Sequence, residues 1–288
     1  MLRRHCLFGL LSAFLPLASM ARPTRVLQHP QPESDSDHRN QYPLEMLHLA
    51  LQKAGLPYET RGLKLRMSQN RALVLLQNRQ LDVFWSMTSR EREQSLLPVR
   101  VSLDRGLYGC RVFLIQKQRQ ADFLALQDKA QLARMVAVQG HDWPDTDILR
   151  SNGLQVVSSP NYELMFSMLQ AGSVDYFPRS VIEIDDELRQ HANAGLQIEE
   201  SLLLQYPTAL YFFVNRRDQA LARALEDGLR AALQDGSFEQ TFLRYHSATI
   251  ERLKLAQRKR IVLHNPLLPP EISLPEKNPG TRQFWLSF

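Results

Sequence analysis

The stretch ALVLLQNRQLDVFWSMTSRER, residues 72–92, changes character three times within a short span. Its first half continues an apolar pattern at helical spacing that opens at Ser68, a residue type suited to cap a helix start. After Asp82 the run VFWSM predicts a strand. The chain then leaves the apolar run and places Ser86, Thr88, Ser89 and Arg92 within a few residues of one another. A solvated turn has this composition, and so has the floor of a pocket that grips a small anion.

Working outward, strands and helices alternate. TRVLQH predicts a first strand, and YPLEMLHLALQKAG a helix with Leu44, Leu47, Leu51 and Ala54 on one face and Gly55 to end it. YETRGLKLRM reads as extended. The same order restarts downstream with RMVAVQG, DTDILRSNG, LQVVSS, NYELMFSMLQAG and VDYFP. In SVIEIDDELRQH, Ser180 and Glu183 stand at capping-box spacing, which predicts a helix start, and EIDDE reads as a solvated face. Two longer strands, LYGCRVFLIQKQ and ALYFFVNRR, separate the two runs, and two helices broken at Asp235-Gly236 follow. Alternation of this kind implies mostly parallel sheets covered by helices, an α/β class.

The first residues read as an export leader. Arg3, Arg4 and His5 precede an apolar segment too short for a membrane span, and small residues end it at Ala21. Removing residues 1–21 leaves 267 of 288 and, without Arg3 and Arg4, lowers the formal charge from +5 to +3. One cysteine, Cys110, then remains, so no internal disulfide can form, and it reads as a small buried apolar residue. Basic residues are scattered with no aromatic-interleaved stripe, which argues against nucleic acid. Paired cysteines and His-Glu-x-x-His are both missing, so neither a metal nor a cofactor is expected. The Pro-rich tail from about residue 264 should be extended, with Phe284 and Trp285 docking on the body.

Four stretches in order resemble the periplasmic solute-binding proteins of family 3, the polar amino-acid type. They are ALVLLQNRQLDVFWSMTSRER, VAVQGHDW, MLQAGSVDYF and LQDGSFEQTFLRYH. The resemblance implies a type 2 periplasmic-binding fold: two lobes joined by hinge strands, 22–115 with 215–288 forming the first and 116–214 the second. It further implies that the arginine of a Thr-x-x-Arg element holds the ligand carboxylate, a role that falls to Arg92, with Ser89 as hydroxyl donor. Bidentate guanidinium–carboxylate bonding makes that chemistry sound. The competing reading pairs Arg92 with Glu91 or Glu93 on a solvated helix start. The link before the arginine is one residue short of the family spacing, which leaves open what Ser86 and Thr88 do.

On the second lobe, Gly140 and His141 match the family's ligand-contacting turn, and Trp143 and Trp85 could supply stacking walls. Asp142 and Asp145 read as helix caps, and His141 could be a plain turn residue. Where amino-acid binders usually carry an acid, this chain has Pro178-Arg179-Ser180. An arginine there would welcome a second anionic group, unless it lies on the surface. The expectation is therefore a monomeric periplasmic protein that captures a carboxylate-bearing solute for an ABC transporter. The alternatives are a sensory module reporting to a membrane receptor and, last, a dehydratase-like enzyme on the same fold.

Overall fold

The computed structural model describes residues 25–32, 37–55 and 57–272. The leader and the Phe284–Trp285 docking expectation lie outside these residues. Strand β1 (Arg25–His29), helix α1 (Gln41–Lys53), β2 (Tyr58–Gly62), α2 (Gln69–Gln77) and β3 (Val83–Met87) open the chain. A short α3 (Arg90–Ser95) and β4 (Leu97–Val99) lead to the long β5 (Cys110–Gln116). Next come α4 (Gln120–Leu124), α5 (Lys129–Leu132), β6 (Val136–Gly140), α6 (Pro144–Ser151), β7 (Gln155–Ser159), α7 (Tyr162–Gln170), β8 (Phe177–Ser180) and α8 (Ile184–Gln190). The chain returns through β9 (Leu196–Ile198), β10 (Leu202–Gln205) and β11 (Leu210–Val214) to α9 (Gln219–Gln234), α10 (Ser237–Leu253) and β12 (Lys259–Val262).

Pairing is parallel where successive strand–helix units meet, in β1–β2 and β6–β7. It is antiparallel wherever the long strands insert. β11 lies between β3 and β4, and β5 pairs with β8, β9 and β10. Among the described residues the β5 sheet mixes directions, with β10–β12 parallel while β5 runs against β8, β9 and β10, because a strand that carries the chain back must run against its new neighbours. β12 pairs with β10 in the sheet of β5, not in that of β3 and β11.

Helix ends follow the local chemistry. Asn161 caps α7 by accepting from Leu164 N–H at 3.0 Å, and Gly236 takes φ +82° between α9 and α10. The capping box at Ser180 does not form. Ser180 ends β8, and α8 starts only after Glu183. EIDDE is not a solvated face either, since Ile184 and Glu187 are buried.

α9 packs its apolar face, Leu221, Leu225 and Leu229, on α1. The approach is close at Gly228, where an added Cβ would stand 2.0 Å from the Ala50 carbonyl oxygen. Beyond β12 the chain crosses between the bodies. Asn152 and His264 exchange hydrogen bonds of 2.7 and 3.0 Å, Asn265 Nδ2 donates to Pro207 O at 2.9 Å, and Arg90 N–H donates to Leu267 O at 3.0 Å. Among the described residues no helix is long and apolar enough to cross a membrane.

Gly228→Ala forces α1 and α9 apart. A loss of roughly 1–3 kcal/mol is expected in denaturant unfolding, whereas Gly153→Ala, at an open site, should lose less through its positive φ alone.

Candidate functional site

A cavity of about 130 Å³ opens between the two bodies. Asn40, Gln69, Trp85 and Ser86 line one wall, and Tyr108, Glu183 and Glu187 the other. Asp185, Asp186, His246 and Thr249 form its rim. Ser86 and Trp85 reach it because β3 ends there, and binding sites of α/β sheets lie beyond the carboxyl ends of strands.

Arg92 sits directly behind the first wall. Ser89, extended at the N-cap of α3, accepts from Arg92 N–H at 3.3 Å, and this turn folds the guanidinium back under β3. Nη1 donates to Met87 O at 2.8 Å and to Ser86 Oγ, and Nη2 donates to Gln69 Oε1 at 3.1 Å. The residue is 6% exposed, and among the described residues no carboxylate lies within ion-pairing distance. Burial lowers its pKa to about 10, with the charges of Asp142 and Asp145 pulling in the other direction. Arg92 does not pair with Glu91 or Glu93. Glu93 instead accepts from Thr88 Oγ1 at 2.5 Å and pairs with Arg100. Thr88 and Ser89 therefore make local hydrogen bonds and do not line the cavity.

Trp85 Nε1 donates to Asn40 Oδ1 at 2.9 Å, which aims its indole at the cavity wall. On the second body, Gly140 must be glycine, since a Cβ there would lie 2.4 Å from the Trp143 ring. Trp143 stacks on Phe177 at 6.3 Å and 16°. His141 is half-exposed and lies off the cavity. Asp142 and Asp145 do not cap α6, whose N-cap is Trp143. Asp142 Oδ2 reaches across and accepts from Asn70 N–H at 2.9 Å at the start of α2. Asp145 pairs with Arg111 at 2.6 Å.

Arg179 is neither a surface residue nor a free cation. It is 1% exposed, lies 2.6 Å from Glu187 and 3.0 Å from Glu183, and stands 4.6 Å from the Trp143 ring centroid. Burial disfavours its charge, yet Glu187 and Glu183 hold its pKa above the ordinary value. The carboxylates that bind it also form part of the cavity wall, so it offers no welcome to a second anionic group. Arg111 joins this cluster, 2.6 Å from Asp145 and 3.6 Å from Glu183, with Nε donating to Tyr206 Oη at 2.9 Å. Two guanidinium groups thus face three carboxylates. Tyr108 Oη donates to Glu183 at 3.0 Å, and burial followed by the Glu183 charge raises its pKa.

Sequence reasoning missed Arg111, Tyr108, Gln69, Glu183 and Glu187. One signal was available: Arg111 interrupts the apolar run GCRVFLI, and a charge inside a buried strand requires partners. Cys110, next to it, is buried, and burial pushes its thiol up to about 12. Among the described residues no group of three His, Cys, Asp or Glu could hold a metal ion.

No protein-family model matches the chain, and no curated protein matches it. Solved structures do. An arginine-specific periplasmic binding protein of Salmonella typhimurium matches with TM-score 0.60 at 15% identity, covering 77% of this chain and 100% of that one. An ancestral arginine-binding protein bound to arginine matches with TM-score 0.56 at 14% identity, covering 76% and 97%. A histidine kinase sensor domain similar to periplasmic binding proteins matches with TM-score 0.57 at 15% identity, covering 78% and 96%. The chain therefore has the two-lobed α/β fold of periplasmic binding proteins.

Arg179→Met leaves Glu187 without a cation and Glu183 with only Arg111, at 3.6 Å, and should cost roughly 3–5 kcal/mol, read as a lowered denaturant midpoint. His246, buried at the cavity rim, has its pKa lowered by burial from 6.5 to about 4. The unfolded chain thus binds the extra proton between these values, so stability is fully present above 6.5 and falls as pH drops toward 4. The unfolding midpoint of His246→Phe should fall less steeply than wild type over that interval.

Proposed function

We propose that this chain is an exported solute-binding protein that captures a small polar solute bearing a carboxylate in the interlobe cavity and delivers it to an ABC-type uptake system. The observation that carries this reading is Arg92, a buried guanidinium without a contacting carboxylate, hydrogen-bonded to the cavity-lining Ser86 and Gln69. A carboxylate reaching this wall would meet a positive charge with no carboxylate in contact, in a low-dielectric setting where charge-assisted bonds contribute roughly 1.5–3 kcal/mol each. Glu183 and Glu187 across the cavity oppose a second anion and favour an ammonium group. An amino acid therefore fits better than a dicarboxylate. The solved structures that match, described as amino-acid-binding proteins, support a binding role rather than catalysis. The first lobe is taken as 25–109 with 207 through α10, because β11 pairs with β3 and β4. The second is taken as 110–206 with β12, because β5 pairs with β8, β9 and β10; the crossings into β5 and β11 serve as hinges. The protein acts as a periplasmic monomer after cleavage near Ala21.

A second reading, a sensory module reporting to a membrane receptor, is favoured by the likeness to a kinase sensor domain and by the contact of Asp142 with α2, which already joins the lobes.

Thermal melting against amino acids and organic acids tests both. A ligand at a hundred times its dissociation constant should add about 2.7 kcal/mol. Arg92→Ala should abolish most of that shift, and Arg92→Lys should keep a part of it. A stabilising ligand whose shift survives Arg92→Ala unchanged would refute the assignment.

A further inference from the structure

Two aromatic rings lie beside the cavity, against one of its lining residues. Arg39, which lines it, lays its guanidinium 4.4 Å from the Tyr162 ring centroid and 5.2 Å from that of Trp143. Asp37, 3% exposed, grips the same guanidinium through Nε at 2.7 Å and Nη2 at 2.9 Å. Tyr162 is itself fixed, its hydroxyl donating to Glu187 at 2.8 Å. Arg39 precedes α1 in the first lobe, whereas Trp143 and Tyr162 start helices of the second, so the contact crosses the cleft.

We propose that Tyr162, Trp143 and Asp37 form a guanidinium-binding subsite that the chain fills with its own Arg39. This deepens the solute-binding reading and rests on it for its biological use. A planar cation needs an aromatic face and a carboxylate in the plane of its N–H groups, and both are present. The anionic end of the cleft is served in the same manner. Asp142 from the second lobe takes the Asn70 N–H at the start of α2, the end of that helix whose Gln69 holds Arg92. The chain thus supplies a cation to the second lobe and an anion to the first, closing the cleft without a guest. A side chain tethered this closely acts at an effective concentration in the millimolar range, so a free ligand must exceed that level to displace it. Arg39 therefore gates the subsite and restricts it to cations that can exchange with a guanidinium.

The test uses methylguanidinium as probe and methylammonium as the non-planar control, with thermal melting and calorimetry on the mature chain. Arg39→Ala should bind methylguanidinium at least about tenfold more tightly than wild type, and methylammonium should stabilise neither. Adding Tyr162→Ala to Arg39→Ala should abolish the gain. Arg39→Gln, which keeps a polar planar end without charge, is measured by the same criterion should the alanine variant fail to fold. Equal methylguanidinium affinity in wild type and in a folded Arg39 variant would overturn the inference. Gain of methylguanidinium binding with no response to any amino acid would uphold the subsite and sink the solute-capture reading. An amino-acid response without that gain would do the reverse.

Discussion

The ion cluster at the seam of the molecule is the constraint on which the site depends. Arg111 on β5 and Arg179 on β8 are both about 1% exposed, and a guanidinium at such depth is tolerated only with carboxylates in contact. Asp145, Glu183 and Glu187 supply them from α6, the turn after β8, and α8. Because β5 pairs with β8, the two arginines are neighbours by register, Arg111 opposite Ser180 and Val112 opposite Arg179. The helices that bring the carboxylates must come to them. The cavity's second wall is thus a by-product of neutralising two charges in a sheet.

Against this wall Arg92 is the contrast. It is buried to a similar degree, but its hydrogen bonds end on a hydroxyl, a carbonyl and an amide oxygen. Neutral acceptors orient a guanidinium without neutralising it, so the positive potential remains for something else to use. The cavity therefore has a buried cation behind one wall and, in the other, two guanidinium groups set against three carboxylates. Arg39 and Asp142 add a further property: parts of the cleft a guest would bridge are already bridged by the chain. Separating the two bodies would break these contacts, along with the crossing segment after β12 that bonds to Asn152, Pro207 and Arg90.

Much of the fold was legible because it rests on local signals. Period-3.6 and period-2 apolar patterns located the main helices and strands, and Gly153, Gly172 and Gly236 do take positive φ where helices stop. What misled was chemistry that local spacing shares with tertiary pairing. Ser180 and Glu183 have capping-box spacing, yet Glu183 is drawn to Arg179 and Tyr108, since a carboxylate beside a buried guanidinium gains more than one at an exposed helix start. Asp142 and Asp145 likewise looked like caps for their own helix and serve α2 and Arg111 instead.

By itself the sequence located the main strands and helices and the order that makes an α/β fold, because each depends on residues near one another in the chain, while the candidacy of Arg92 came from the family resemblance. Only the tertiary structure decided which arginine keeps an unmatched charge. Arg39, Arg92, Arg111 and Arg179 are alike as letters, and their roles differ by which carboxylates the fold carries within a few ångströms. Coulomb attraction in a buried setting is set by distance in space, and distance along the chain does not encode it.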